Sequence, residues 1–236
     1  MTALPRMIRT SIALCAALLL GACASAPNRV DPFEPANRVA YQVHDTVDRQ
    51  VVRPVIRAYV DHTPKPVQQA ISNFYNNIDD FFSGVSGLLQ GKWEKAGNDF
   101  GRVTVNTGMG LAGLIDIASQ AGIERGEEDF GQVMGFWGVP QGPYFFIPFL
   151  GPTTLRDGTG WVIRFAVGPT GYINDVAVRN SLYGIGALDL KSRLLEFEDL
   201  ADKAAIDRYV FIRRSYLQRR EYQVYDGEPP KKEEEE

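Results

Sequence analysis

Few residues of this chain have the types and spacing that covalent catalysis requires. Ser86 lies in Gly84-Val85-Ser86-Gly87, which is one residue short of the Gly-x-Ser-x-Gly elbow of hydrolases. A serine nucleophile needs a neighbouring base, and the chain contains only two histidines, His44 and His62. A hydrolase would therefore have to combine Ser86 with one of these histidines, and that alternative stays open.

Two further motifs imitate nucleotide sites. Gly108 to Gly113 matches Gly-x-Gly-x-x-Gly and follows Val103-Thr104-Val105, which has the composition of a strand. The pattern indicates a dinucleotide site only inside a βαβ unit, and no second parallel strand follows. Asp129-Phe130-Gly131 imitates a kinase motif, but the catalytic loop of kinases is absent. With two histidines and two cysteines there is also no zinc pattern, so we expect no cofactor, no metal and no enzymatic activity.

A row of arginines near the C-terminus could recognise an anion. Its members are Arg208, Arg213, Arg214, Arg219 and Arg220. One interpretation is a solvated helix face. The other is contact with lipid phosphate or an acidic partner protein, because a guanidinium can bind phosphate through two parallel hydrogen bonds. The formal net charge of the whole chain is −4, so nothing favours nucleic acid as a partner.

The N-terminus predicts export and lipidation. Arg6 and Arg9 precede a short apolar stretch, residues 12–20, which is too short to span a membrane. Leu20-Gly21-Ala22-Cys23 resembles the bacterial lipobox, so we expect cleavage after residue 22 and acylation of Cys23. Several acyl chains anchor a protein stably. Ala24, directly after this cysteine, resembles the sorting signal of lipoproteins that go to the outer membrane. A hydrolase built on Ser86 would then be anchored to the membrane.

The remaining chain predicts one mainly α domain. We expect a signal peptide over 1–22, a lipidated spacer over 23–30, a helical domain over 31–226 and a disordered acidic tail over 227–236. Apolar spacing predicts a helix over 37–59 that Pro54 divides, and a long helix capped by Thr63 that ends at Gly91. Further helices are expected over 93–100, 111–118, 158–167 and 190–222, with a weaker one over 172–188.

The stretch from Phe130 to Asp157 combines large apolar side chains with several glycines and prolines. We expect irregular backbone here, without a long helix or a central strand. Irregular backbone needs partners for its polar groups, so this stretch is expected to be enclosed by protein or to border a wet cavity. No apolar run approaches the ~18 residues of a spanning helix, so any membrane contact must come from amphipathic helices lying in the interface.

Several segments together resemble the VacJ/MlaA family of Gram-negative outer-membrane lipoproteins. They are DPFEPANR, RPVIRAYVDHTP, SNFYNNIDD, LLQGKW, VNTGMGLAGLIDIAS, EDFGQVMGFWGVPQGPYFFIPFLGPTTLRD and YLQRREYQVYDG, between Asp31 and Gly227. Two positions depart from the family pattern: Ala36 stands where phenylalanine is usual, and His44 where asparagine is common. The resemblance implies an all-α ring in the periplasmic leaflet of the outer membrane with a central amphipathic channel.

The resemblance also implies a function and its partners. Family members look like the entry point of a retrograde pathway that removes phospholipids mislocated to the outer leaflet. Implied partners are phospholipids, a trimeric porin and a soluble periplasmic carrier that serves an inner-membrane ATP-driven transporter. A structural tether without a transport role is the remaining alternative.

Within this framework we assign hypothetical roles around the channel. Gly138, Gly142 and Gly151 would supply bends at the channel mouth. Tyr144 and Arg156 would donate hydrogen bonds to headgroups. Asp157 would pair with Arg156 or set the polarity of the wall. Three phenylalanines would face acyl chains or the core; they are Phe145, Phe146 and Phe149.

Overall fold

The computed structural model describes residues 30–230, and the predicted Cys23 anchor, the signal peptide and the end of the tail lie outside this range. The helices are α1 (Glu34–Val47), α2 (Arg53–His62), α3 (Lys65–Leu89), α4 (Trp93–Gly108), α5 (Ile117–Gln120), α6 (Phe130–Phe136), α7 (Leu155–Val167), α8 (Val176–Ala204) and α9 (Arg208–Val224). Strands β1 (Tyr144–Ile147) and β2 (Gly151–Thr154) form one antiparallel hairpin. The predicted mainly α class is confirmed.

The first helix divides near Pro54, as predicted, but through a π-helical turn. This turn, Asp48–Val52, joins α1 to α2 directly before the proline. Proline lacks an amide hydrogen, so the backbone hydrogen bonds of the helix must change their pattern there. The prediction that Thr63 caps the next helix is wrong. The Thr63 amide donates to the Tyr59 carbonyl and so ends α2, and α3 begins after Pro64 without a side-chain cap.

Residues 103–105, which have the composition of a strand, lie within α4. The expected helix over 111–118 is wrong. Residues 109–115 form turns in which Leu111, Ala112 and Gly113 all have positive φ, and only the short α5 follows. A Cβ on Gly113 would lie 2.7 Å from Asn77, so this glycine permits close packing rather than nucleotide binding.

The turn after α4 is held by the carboxylate of Asp116. It accepts hydrogen bonds from Asn106, from the backbone and hydroxyl of Ser119, and from buried Arg102. Burial by itself would raise the pKa of Asp116, but these donors lower that pKa from 3.8 to about 2. Because the folded pKa lies below the unfolded pKa, the charged carboxylate stabilises the fold above pH 4.

We therefore expect the free energy of unfolding to lose about 2 kcal/mol from Asp116 as the pH falls from 4 to 2. Urea unfolding of the protein at pH 7, 4, 3 and 2 measures this loss. In Asp116→Asn the stability should be lower at pH 7 and should fall less between pH 4 and pH 2. The control is Glu124→Gln, because Glu124 is exposed and has no hydrogen bond or ion pair within residues 30–230. If the free energy of unfolding falls equally between pH 4 and pH 2 in the wild type, Asp116→Asn and Glu124→Gln, the prediction is contradicted.

The C-terminal helices break at a different place from the one expected. α8 continues through Gly184 and Gly186, and the chain bends at 205–207, inside the predicted 190–222 helix. A Cβ on Gly186 would lie 2.9 Å from the ring of Tyr75, so this glycine admits an aromatic side chain and does not end the helix. Asp207 begins α9 by accepting a hydrogen bond from the amide of Val210.

α3 and α4 pack along each other and position the glycines around Ser86. A Cβ on Gly84 would lie 3.0 Å from Phe100, and one on Gly87 would lie 3.3 Å from Ala96. Gly84 to Gly87 therefore permits a close helix contact and does not form a strand-to-helix elbow. Within residues 30–230 the helices are all too short or too polar to cross a membrane.

Candidate functional site

In the described part of the chain, many large apolar side chains are exposed and many charged side chains are buried. The exposed large hydrophobic residues outnumber the buried hydrophobic ones, whereas many charged side chains are almost fully buried. Among these are Asp31, Asp80, Arg102, Asp157 and Arg220. Water-soluble proteins rarely expose large contiguous apolar surface and bury charge only when it is paired. The arrangement fits a protein whose exterior meets an apolar medium.

The Gly/Pro-rich stretch contains regular structure that we did not predict. Phe130–Phe136 is helical, and β1 pairs with β2 from Tyr144 opposite Thr154 to Ile147 opposite Gly151. Phe149 at the tip has φ of 68° and Gly151 has φ of 93°, as short hairpin loops require. The expectation of irregular backbone is therefore correct only for the connecting residues, such as 137–143. Of the three predicted bends, Gly138 and Gly142 lie in this connection and Gly151 begins β2.

The hairpin places its aromatic side chains in different environments. Tyr144 is 0% exposed and Phe146 is also buried, and both pack in a core with Tyr41 and Tyr209. The Tyr144 hydroxyl has no partner within residues 30–230, and burial raises its pKa. Tyr144 is thus not at a surface where it could donate to a headgroup, and that expectation is wrong in this structure.

The other two phenylalanines lie nearer the surface. Phe145 is half-buried and stacks on Phe33 with ring centroids 5.4 Å apart, while Phe149 at the hairpin tip is 64% exposed. His44 holds the tip, because its Nδ1 accepts a hydrogen bond from the Phe149 amide at 3.2 Å. One of the two positions where this chain departs from the family pattern, His44, therefore contacts the hairpin.

Asn37 fixes β1 to the first helix, which the sequence did not reveal. Its Oδ1 accepts from the Phe146 amide at 3.0 Å, and its Nδ2 donates to the Tyr144 carbonyl at 3.1 Å and to Asp31 at 2.8 Å. This buried side-chain amide, together with the Val30 carbonyl that accepts from the Tyr144 amide at 3.0 Å, thus takes the place of a neighbouring strand along the free edge of β1. No local pattern indicates this, because its backbone partners lie more than 100 residues away.

Asp157 is the centre of a buried ion-pair network at the start of α7. Its carboxylate accepts from Arg156 Nε at 3.1 Å, from Arg220 Nη2 at 3.0 Å and from the Tyr216 hydroxyl at 2.8 Å. Arg220 also pairs with Asp129. Burial by itself would raise the pKa of Asp157, but Arg220, Tyr216 and Arg156 hold that pKa below its ordinary value. The predicted pairing of Arg156 with Asp157 is therefore present, as one contact of a larger network.

The arginine row is mostly internal, so neither sequence interpretation applies to three of its members. Arg208 pairs with Asp45 and Asp202, Arg213 with Asp31 and Glu34, and Arg220 with Asp129 and Asp157. Arg214 and Arg219 alternate with these on α9; both are exposed and have no hydrogen bond or ion pair within residues 30–230.

A cavity of about 870 Å³ lies between α9 and the connection that follows α6. Its polar lining includes Gln141, Arg156 and Arg214, and its apolar lining includes Val139 and Leu217. Gly138 also borders it, whereas Gly142 and Gly151 do not. The structure thus brings together two members of the predicted channel group and one of the arginine row.

The geometry of a serine hydrolase is not present in the described residues. Ser86 is 0% exposed, and its hydroxyl has no hydrogen-bond partner within 30–230. His44 instead binds the Phe149 amide, and His62 contacts the Ala58 carbonyl. The same range contains no group of side chains that could hold a metal ion.

These features define the class: a mainly helical protein with many buried charged side chains, many exposed apolar side chains and no membrane-spanning helix in the described range. The model of the MlaA lipoprotein family matches residues 29–223, so the chain belongs to that family. The resemblance noted from the sequence is confirmed.

Relatives of known description support this assignment. The "Intermembrane phospholipid transport system lipoprotein MlaA" of Escherichia coli K12 is 32% identical over 93% of this chain and 89% of its own length. The protein of the same description from Haemophilus influenzae is 30% identical over 91% of this chain and 90% of its own. A solved chain described as "Structural basis for maintenance of bacterial outer membrane lipid asymmetry" has a TM-score of 0.72 and 30% identity, covering 82% of this chain and 98% of its own.

Proposed function

We propose that this protein is an outer-membrane lipoprotein that removes mislocated phospholipids from the outer leaflet and passes them to a periplasmic lipid carrier. The observation that carries the proposal is the large number of exposed apolar side chains together with the many buried charged ones. The descriptions of the relatives, which name phospholipid transport, and of the solved chain, which names lipid asymmetry, support it.

The physical task is to move a charged headgroup past hydrocarbon. Charge in the bilayer centre is costly, so phospholipids cross slowly on their own. A ring of helices lying in the periplasmic leaflet would keep acyl chains in lipid while offering the headgroup a polar path. Such a path needs no covalent step.

The anchor and partners follow from the same proposal. Acylated Cys23 would hold the protein at the periplasmic leaflet of the outer membrane. The exposed Phe149 at the hairpin tip and the exposed Phe136 and Trp137 give the apolar surface that lipid or a trimeric porin would contact. Arg219, exposed on α9, is available to an acidic surface such as that of a carrier protein.

Complementation of a deletion strain tests the proposal. The gene is deleted in the bacterium that carries it, and the phospholipid content of the outer leaflet is measured after complementation. We expect the wild-type protein and Ser86→Ala to restore low outer-leaflet phospholipid, because Ser86 is a buried hydroxyl without a partner in the described range. Cys23→Ala should fail to restore it and should leave the outer-membrane fraction.

The alternatives predict other outcomes. A hydrolase that used Ser86 would lose activity in Ser86→Ala while remaining folded and localised. A structural tether would make no difference to outer-leaflet phospholipid, even with the wild-type protein present. Either result, or full activity of a Cys23→Ala variant, would contradict the proposal.

A further inference from the structure

We propose that His44 is a pH-sensitive latch for the tip of the β1–β2 hairpin, residues 148–150: the neutral imidazole holds the Phe149 amide, and protonation of Nδ1 releases it. The latch goes beyond the proposed function, because it concerns the position of the hairpin and requires no lipid. It rests on one hydrogen bond between α1 and the tip, on the backbone of the tip and on the charges that surround His44.

The hydrogen bond between His44 and the tip requires a neutral ring. His44 Nδ1 accepts from the Phe149 amide at 3.2 Å. A ring nitrogen accepts a hydrogen bond only when it carries no proton, so neutral His44 must carry its proton on Nε2. In the imidazolium both nitrogens are donors, and Nδ1–H would then face another N–H group. Protonation therefore converts an attractive contact into a repulsive one.

The backbone of the tip depends on contacts that hold it. The Leu150 amide donates to the Ile147 carbonyl at 3.2 Å, which closes the turn between the strands. Phe149 has φ of 68°, a left-handed conformation that is unfavourable for a residue with a side chain. Such a conformation persists when its surroundings enforce it, and His44 supplies the hydrogen bond to the Phe149 amide. We therefore expect the tip to relax when His44 no longer accepts this bond.

Two rings and four charged side chains face His44. The rings are those of Phe146 and Phe149, with centroids 5.3 Å and 6.3 Å from the imidazole. Hairpin residues 144–154 contain no carboxylate and no basic side chain, so the charges come from the helices and the π-helical turn. They are Asp45 on α1, Asp48 in the π-helical turn, Lys191 on α8 and Arg208 on α9.

Neither of the two acids is left over for an imidazolium. Lys191 pairs with Asp48 at 2.7 Å, and Arg208 pairs with Asp45 at 2.5 Å. Burial lowers the pKa of His44 below its ordinary value of 6.5, Lys191 and Arg208 also lower it, and Asp48 and Asp45 oppose this change. A lowered pKa means that the folded state favours the neutral ring. The latch is therefore closed above the ordinary pKa of histidine and opens as the pH falls through the lowered pKa of His44.

Hydrogen exchange at single amides of the hairpin tests the latch. Quench-flow deuterium exchange of the full chain in dodecyl maltoside, with electron-transfer fragmentation, is measured in half-unit steps from pH 8 to pH 5. The Phe146 amide donates to Asn37 instead of His44, so it is an internal reference in the same sample. After correction for intrinsic exchange rates, we expect the protection of Phe149 relative to Phe146 to fall about three- to tenfold, the value of one ordinary hydrogen bond. The midpoint should lie below pH 6.5.

Three variants separate the acceptor from its titration. In His44→Asn the side-chain Oδ1 takes the position of Nδ1 and accepts a hydrogen bond without titrating, so the protection of Phe149 should stay constant within about twofold. His44→Leu offers no acceptor and should show at pH 8 the low protection that the wild type reaches at pH 5. His62→Asn should keep the wild-type response, because His62 contacts the Ala58 carbonyl within α2.

Three outcomes would overturn the latch. The same fall of protection in His44→Asn as in the wild type would assign the pH response to another group. Wild-type protection of Phe149 in His44→Leu would show that this hydrogen bond does not hold the tip. A wild-type protein without a pH response, or with a midpoint above pH 6.5, would show that docking of the tip does not favour the neutral ring. The protection of Phe146 reports whether the hairpin is folded in each variant, and if His44→Leu has lost it, the wild type and His44→Asn decide by themselves.

Discussion

Asp157→Asn is expected to lower the free energy of unfolding by about 3–5 kcal/mol, which is the usual cost of removing one partner from a buried ion pair. The carboxylate is 2% exposed and accepts from Arg156, Arg220 and Tyr216. The uncharged amide of asparagine cannot neutralise the guanidinium groups of Arg156 and Arg220. Its NH2 group would also place a donor where the carboxylate offers an acceptor. Arg220 would retain Asp129 as its charged partner and a hydrogen bond to the Gln223 side chain.

Urea unfolding of the purified full chain, followed by circular dichroism, measures this effect. The matched control is Asp79→Asn, because the Asp79 carboxylate is 60% exposed and pairs with Arg164 at 3.0 Å at the surface. Exposed pairs contribute about 0–1 kcal/mol, so this variant should remain near the wild type. If the two variants shift the transition equally, the network around Asp157 does not stabilise the fold as the contacts indicate.

Asn37→Leu has the second largest expected effect, a loss of about 2–4 kcal/mol. Leucine has a similar size but leaves the Phe146 amide and the Tyr144 carbonyl without their side-chain partners, and each unsatisfied buried group costs about 1–3 kcal/mol. It also removes a donor to Asp31, which remains paired with Arg213. We expect the hairpin to lose protection, since no described strand pairs with β1 on that side.

Hydrogen exchange of the β1 amides, together with urea unfolding, checks this prediction. Asn73→Leu is the control, because Asn73 makes one exposed hydrogen bond, to the Leu114 carbonyl at 3.0 Å. It should cost less than about 1 kcal/mol and leave exchange in β1 unchanged. Unaltered exchange at Phe146 in Asn37→Leu would show that other contacts are sufficient to hold the hairpin.

The proposed function gives these two sites a common meaning. Asn37 and His44 hold the hairpin from α1. Asp157, in the first turn of α7, accepts a hydrogen bond from Arg156, which lines the cavity. Both therefore position the stretch that follows Phe130. A variant that loosens either should affect lipid handling even though neither Asn37 nor Asp157 lines the cavity.

The sequence by itself determined the family and the helical class, and it predicted that no helix of residues 30–230 spans a membrane, as the structure finds. Apolar periodicity correctly identified α3 and α7, because a helix repeats its buried face every three to four residues. The joint motifs from Asp31 to Gly227 identified the MlaA lipoproteins, a match that residues 29–223 confirm. The same periodicity misplaced the break near residue 205, since glycines inside α8 serve packing rather than termination.

Only the tertiary structure decided what the charged and aromatic residues do. Arg220 meets Asp129 and Asp157 from 91 and 63 residues away, and Arg213 meets Asp31 from 182 residues away, so no local pattern could separate them from exposed Arg214 and Arg219. Periodicity states which residues share a face, but it does not state whether that face meets protein, water or lipid. For the same reason Tyr144 was expected at a surface and lies in the core, where contacts distant in sequence set its environment.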